Sequence, residues 1–185
     1  MSLEAIVRTT ARDLALIAAR RGRGGEMETP DKVAALLDAK RALDGVPVRH
    51  ALIGGVAVGI HSGVPRATLD TDLAVPSTAE RAAVVDAMVR AGFRRIGEDA
   101  HSANFRHPSG EPVQLAFDPG FDPMIARAET FDLEGVAVHV VRKDDLIAMK
   151  RRAAADPGRR RSKALRDQAD VELLLGDVPE PDEGW

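Results

Sequence analysis

The sequence predicts an α+β domain: a mixed β-sheet flanked by helices, with further helices at both ends. Three observations carry that class. Apolar residues recur at helical spacing before residue 45 and after residue 142. Short apolar runs with a period of two lie between those stretches, and glycine and proline punctuate them. Helices, then a mixed unit, then helices again is the element order of an α+β or mixed α/β fold.

Taken in order, Leu3, Ile6, Val7, Leu14, Ile17 and Ala18 share one face of an opening helix. The charged, glycine-containing run RRGRGGEME breaks it. Thr29 followed by Pro30 reads as an N-cap with proline at the first helical position. It opens a second helix, PDKVAALLDAKRAL, that ends at DGVP. The strand VRHALI leads into GGVAVGIHSG, a helix begun by glycines and stopped by Gly63 and Pro65. ATLDTDLAV is the next strand, and STAERAAVVDAMVRAGF is a helix capped by Ser77 or Thr78. SANFRH and EPVQLAFD are strands joined by the turn PSGEP. VAVHVV is followed by the helix RKDDLIAMKRRAA, the loop DPGRRRS and a last helix, KALRDQADVELLLG, with Leu165, Ala169 and Leu173 on its stripe. DVPEPDEGW reads as a frayed tail. The expected organisation is a helical segment over 1–45, a mixed domain over 46–176 and a tail over 177–185.

Composition narrows the function. The 185 residues hold 44% hydrophobic and 30% charged residues, enough for a packed core under a well-solvated surface. Aromatics make up 3%, with no tyrosine, which argues against base stacking as the main grip on nucleic acid. The net charge of −3 provides no global basic field, so polyanion binding would need a local patch. The absence of cysteine excludes disulfides, thiolate metal sites and thiol nucleophiles. The N-terminal run mixes charges into its apolar pattern, unlike a signal peptide or a membrane span. A cytoplasmic protein without a membrane partner is the expectation.

The chemistry concentrates in ALIGGVAVGIHSGVPRATLDTDLAV. Side chains alternate along a strand, so Asp70 and Asp72 emerge on one face, about 7 Å apart at the backbone. Two readings apply: solvated carboxylates on an open sheet face, or a pair awaiting a cation. Magnesium suits the second, because it takes one or two carboxylates and completes its octahedron with water and phosphate. Gly54 and Gly55, between a strand and a helix start, are either a tight turn or a phosphate seat of free backbone N–H groups. Arg66 and Thr68 stand just upstream of the pair, and Thr68 shares its face.

The run Gly54-Gly55-x-Ala57, His61-x-Gly63, Arg66-x-Thr68-x-Asp70-x-Asp72 resembles the signature of the polymerase-β-like nucleotidyltransferase superfamily. It is most similar to the small AbiEii/AbiGii toxin-type group. VAVHVVRKDDLIAMK and KALRDQADVELL resemble that group's ending, so the likeness spans about residues 46–176. It implies a nucleotidyltransferase-like domain that moves an NMP from an NTP to a hydroxyl acceptor. Asp70 and Asp72 would be the catalytic and metal-binding pair, holding Mg2+ or Mn2+. Gly54, Gly55, Arg66, Thr68 and Lys150 would bind the nucleotide. The basic residues at 150–152 and 159–161, with Lys163 and Arg166, are either a solvated charge run or a seat for a polyanionic acceptor such as tRNA. The toxin-like relatives also imply an antitoxin protein as partner.

One position departs from this pattern. Relatives carry a third carboxylate in a valine-aspartate-leucine run on a neighbouring strand, and here EPVQLAFD puts Gln114 in its place. Asp118 shares the face of Gln114 but lies about 13 Å further along an extended strand. Gln114 and Asp118 are therefore the candidates for the third-ligand position. The alternative function is a catalytically impaired member acting as a nucleotide-binding or protein-interaction module. Asp167 and Asp170 are expected to pair with Lys163 and Arg166 on their own helix. No histidine shows metal-ligand spacing.

Overall fold

The computed structural model describes residues 31–177. Helix α1 (Lys32–Asp44) is capped by Asp31, whose carboxylate accepts the Ala34 N–H at 2.9 Å. Thr29 is thus not the cap, and Thr29, Pro30 and the opening helix expected around residues 3–18 lie outside the described residues, as does most of the tail. Strand β1 (Ala51–Ile53) runs directly into α2 (Gly54–Ser62), which ends at Gly63 in the left-handed conformation. β2 (Thr71–Ala74), α3 (Arg81–Arg90), β3 (Arg94–Glu98), β4 (Ser102–Arg106) and β5 (Pro112–Ala116) follow. A 3-10 turn at Pro119–Phe121 and the short α4 (Asp122–Ala126) lead to the hairpin of β6 (Glu129–Leu133) and β7 (Val136–Val140). α5 (Lys143–Ala155) and α6 (Arg161–Leu175) close the described chain.

The seven strands make one mixed sheet in the order β3-β4-β5-β2-β1-β7-β6. β2 is its middle strand, antiparallel to β1 and parallel to β5, while β1 runs parallel to β7. On β2, Thr71 and Leu73 are buried and Asp72 faces the more open side, and β5 repeats the pattern with Val113 and Leu115 buried around Gln114. Period two thus places Asp72 and Gln114 on the same face.

The helices pack against this sheet and each other. α2 touches β1, β2, α5 and α6, and α1 touches β2 and α3. Val33, Leu36 and Leu43 of α1 share one hydrophobic core with Leu52 of β1 and Leu73 of β2. Lys32 of α1 forms a fully buried ion pair with Glu111, just before β5, and Glu111 also accepts the Thr71 hydroxyl at 3.2 Å. Burial pushes the Glu111 carboxyl upward, and the Lys32 charge pulls it back.

Several expectations change. The strand around the aspartates starts at Thr71, so Asp70 sits in the preceding bend and Leu69 is 63% exposed instead of facing the core. Glu80 precedes α3 without a side-chain cap, and Ser77 binds Asp122 through its N–H (2.8 Å) and hydroxyl (2.7 Å). Strands β3 and β6 were not expected. Arg94–Glu98 is exposed and charged, and Glu129–Leu133 is masked by its polar residues. The stripe expected on the last helix is also displaced. Its buried residues are Asp167, Asp170, Val171 and Leu174, while Leu165 is 54% exposed.

Candidate active site

The cleft forms where β1 turns into α2 beside the start of β2. Ile53, the last residue of β1, pairs with Asp72, so the next residue, Gly54, must pass directly over the Asp72 carboxylate. Gly54 has φ +71°, and a Cβ there would lie 2.0 Å from Asp72 Oδ2. Only glycine satisfies both demands. A Cβ on Gly55 would lie 2.5 Å from Arg66 Nη1 and 2.7 Å from Thr68 Cβ. The glycine pair is therefore the floor on which Asp72, Arg66 and Thr68 rest. α2 has no side-chain N-cap, leaving its first N–H groups open to an anion.

Asp70, Asp72, Thr68, Arg66, both glycines, Lys150 and Gln114 line one cleft of about 310 Å³. Thr68 is buried and donates its hydroxyl to Asp70 Oδ1 at 3.2 Å. Burial and the neighbouring Asp70 charge push the Asp72 carboxyl up to about 7, against the pull of Lys150, Lys32 and Arg66. A carboxylate kept this far from easy ionisation is one that gains from a cation.

The opposite wall is a knot of ion pairs built on α6. Lys150, buried near the middle of α5, sits 2.9 Å from Asp167 Oδ1 and 2.8 Å from Asp170 Oδ2. Arg66 binds Asp170 with Nε at 2.5 Å and Nη2 at 3.0 Å. Arg159 binds Asp167 Oδ2 at 2.5 Å. Asp167 and Asp170 thus pair with Lys150, Arg159 and Arg66, not with Lys163 and Arg166 as expected. They point inward, on the same buried face as Val171 and Leu174. That was legible in principle, because the 167, 170, 171, 174 spacing is itself helical. Arg159 was seen only as part of a charge run. Lys163 and Arg166 also line the cleft, and among the described residues they have no ion-pair partner.

Gln114 is the direct partner of Asp72 on the neighbouring strand, and it faces the cleft. Asp118 does not. It lies beyond the far end of β5, is absent from the cleft wall, and its carboxylate accepts the Gly120 N–H at 2.7 Å, capping the 3-10 turn. β5 stops at Ala116, and the chain carries Asp118 into the 3-10 turn instead of the cleft wall. His61, upstream, is bonded to the Val141 carbonyl at 2.7 Å and packs edge-on against Phe131. Among the described residues no three histidine, cysteine or acidic side chains gather as a metal cluster. The donors available to a hard divalent cation are two carboxylates and, beside them, one amide.

Residues 35–183 match the model of the family described as AbiEii, nucleotidyl transferase AbiEii toxin, Type IV TA system. The chain belongs to that family. It is a nucleotidyltransferase of the AbiEii toxin type, and its fold agrees with solved relatives. An antigenic nucleotidyltransferase-like protein from Paracoccidioides brasiliensis is 22% identical, with a TM-score of 0.56 over 83% of this chain and 80% of that one. ANT(2'')-Ia in complex with adenylyl-2''-tobramycin is 18% identical, with a TM-score of 0.54 over 79% and 90%. The lincosamide antibiotic adenylyltransferase LnuA, lincomycin-bound, is 12% identical, with a TM-score of 0.56 over 78% and 97%. At such identities the likeness is one of fold. No curated protein matches in sequence. Among the described residues no helix is long and apolar enough to cross a membrane.

Proposed function

We infer that this AbiEii-type nucleotidyltransferase moves a nucleoside monophosphate from an NTP to a hydroxyl on tRNA, and that it needs Mg2+ or Mn2+ at Asp70 and Asp72. The supporting observation is the convergence of the glycine turn and the carboxylate pair in one cleft, with Asp72 packed against the bare face of Gly54. The open N–H groups of α2 would take phosphate oxygens. Arg66 and Lys150, fixed by Asp170 and Asp167, would offset the charge of the triphosphate from the wall. Asp70, anchored by Thr68, and Asp72 would hold the cation. When bound, such a cation stabilises charge on the transferring phosphoryl group and makes the acceptor hydroxyl a better nucleophile. The acceptor oxygen bonds to the α-phosphorus as the bond to pyrophosphate breaks, and the hydroxyl proton leaves to water, since the Gln114 amide cannot accept it. Exposed Lys163 and Arg166 at the rim favour a polyanionic acceptor. An antitoxin partner and a cytoplasmic location accompany this reading.

The test is incubation of the protein with each α-labelled NTP, Mg2+ or Mn2+ and total tRNA, beside Asp70→Ala. Label should move to tRNA with wild type and not with the variant; transfer by Asp70→Ala would refute the assignment. Gln114, opposite Asp72, favours a second reading, a nucleotide-binding or protein-interaction module with impaired turnover. That reading expects NTP binding without transfer, and transfer restored by Gln114→Asp.

A further inference from the structure

A one-way chain of hydrogen bonds crosses the sheet and ends at the cleft. It begins at Asp99, in the turn between β3 and β4. The Asp99 carboxylate accepts the Ser102 hydroxyl at 2.8 Å and the His101 N–H at 2.9 Å, and these bonds hold its pKa below the ordinary carboxylate value. An ionised carboxylate only accepts, so Ser102 has given Asp99 its one proton. Its oxygen can meet Asn104 only as an acceptor, and Asn104 Nδ2 approaches it at 3.5 Å, the longest link. The Asn104 carbonyl is therefore turned to the next strand, where it accepts from Gln114 Nε2 at 2.9 Å.

The register carries this polarity to the carboxylate pair. Asn104 and Gln114 are direct partners on β4 and β5, and Gln114 and Asp72 are direct partners on β5 and β2. With its nitrogen held by Asn104, the Gln114 amide turns its oxygen away from Asn104. Among the described residues no hydrogen-bond donor reaches that oxygen.

We propose that Asn104 is a positioning residue that locks the Gln114 amide with Oε1 toward Asp70 and Asp72, making Gln114 a neutral third oxygen donor to the divalent cation. This rests on the reading of the carboxylate pair as the cation's seat. An amide carbonyl is a fit ligand for a hard divalent ion, whereas the amide NH2 group is not. Without the lock the amide is free to rotate, and the cation must itself hold Oε1 in place. The cleft thus gains a third oxygen beside the two carboxylates without a third negative charge.

The test is Mn2+ affinity of the full-length protein without nucleotide or acceptor, read from the electron paramagnetic resonance signal of free Mn2+. Asn104→Ala should weaken binding by about 10-fold, the low end for a group that orients a metal ligand. Asn104→Asp, which still accepts from Gln114 Nε2 and cannot do otherwise, should bind at least as tightly as wild type. Wild-type affinity in Asn104→Ala, with binding lost in Asp70→Ala, overturns the role of Asn104 alone. Equal weakening in Asn104→Asp and Asn104→Ala also overturns it, since the loss would then be structural. If wild type binds Mn2+ no better than Asp70→Ala, the carboxylate reading falls and the proposal with it.

Discussion

Arg66 and Asp170 meet as a bidentate ion pair although they lie 104 residues apart, with Nε–Oδ1 at 2.5 Å and Nη2–Oδ2 at 3.0 Å. The pair fastens the loop that delivers Asp70 onto the last described helix. Asp170 also holds Lys150, so one carboxylate fixes two cations at the wall of the cleft. Asp170→Ala leaves both cations short of a partner in a buried place. It should cost about 3–5 kcal/mol of stability, the usual penalty for breaking a buried pair from one side. Urea denaturation would show a lowered midpoint with an unchanged slope. A wild-type midpoint would mean that Arg66 and Lys150 find other partners.

Gly54→Ala should cost more than the same change at Gly63. Both glycines have positive φ, so each substitution carries about 1–2 kcal/mol of backbone strain. A Cβ at Gly63 meets nothing within 4 Å, whereas one at Gly54 meets the Asp72 carboxylate. Gly63→Ala should therefore lower the melting temperature and keep kcat/KM. Gly54→Ala should also lower kcat/KM by about 100-fold or more, the scale of a displaced reacting group. Equal kinetics in the two variants would detach the glycine turn from the chemistry.

Asp72 links stability to pH. Its carboxyl is raised from 3.8 to about 7, so the folded protein holds a proton there that the unfolded chain has released. Stability therefore falls as pH rises between about 4 and 7 and levels off above that range. At 1.36 kcal/mol for each unit, the loss approaches about 4 kcal/mol in metal-free protein. Asp72→Asn carries no such charge. In chelator at pH 8 it should melt above wild type, with the gap closing towards pH 4. A variant that melts lower at pH 8 would contradict the electrostatic picture of the cleft.

Lys163 and Arg166 should matter to the acceptor and not to the fold. Both are exposed at the rim, and their removal touches no buried contact. The double alanine variant should keep its stability within about 0.5 kcal/mol per site. Its tRNA affinity should fall, and the slope of log affinity against log salt should become shallower by about 1–2. An unchanged salt slope would place the acceptor elsewhere on the surface.

The site was more legible than its frame. Spacing brought Asp70, Asp72 and the glycines to notice, and they do line one cleft. Asp70, however, reaches it from the bend before β2 and not by strand alternation. Gln114 followed from the same alternation, and the structure sets it opposite Asp72. The ion-pair wall did not follow. Lys150, Arg159 and Arg66 come from three separate parts of the chain, and an i,i+3 or i,i+4 rule can see only partners on one helix. Strand β3 was hidden because its residues are almost all exposed, and β6 because only Phe131 and Leu133 of its five residues face the core. The available sign of the β6–β7 hairpin was Gly135 after Glu134, and the two take φ of 77° and 55° in its turn.

The buried Lys32–Glu111 pair has a consequence for anyone trimming this protein. Lys32 belongs to α1, ahead of the sheet, while Glu111 holds the hydroxyl of Thr71, the residue between the two site aspartates. A chain cut to begin at residue 46 would keep every residue of the cleft. It would also strip Glu111 of its cation and bare the apolar side of the sheet that α1 covers. Helix α1 is thus the keystone of the sheet's central strand, and removing it would unseat the aspartates from below.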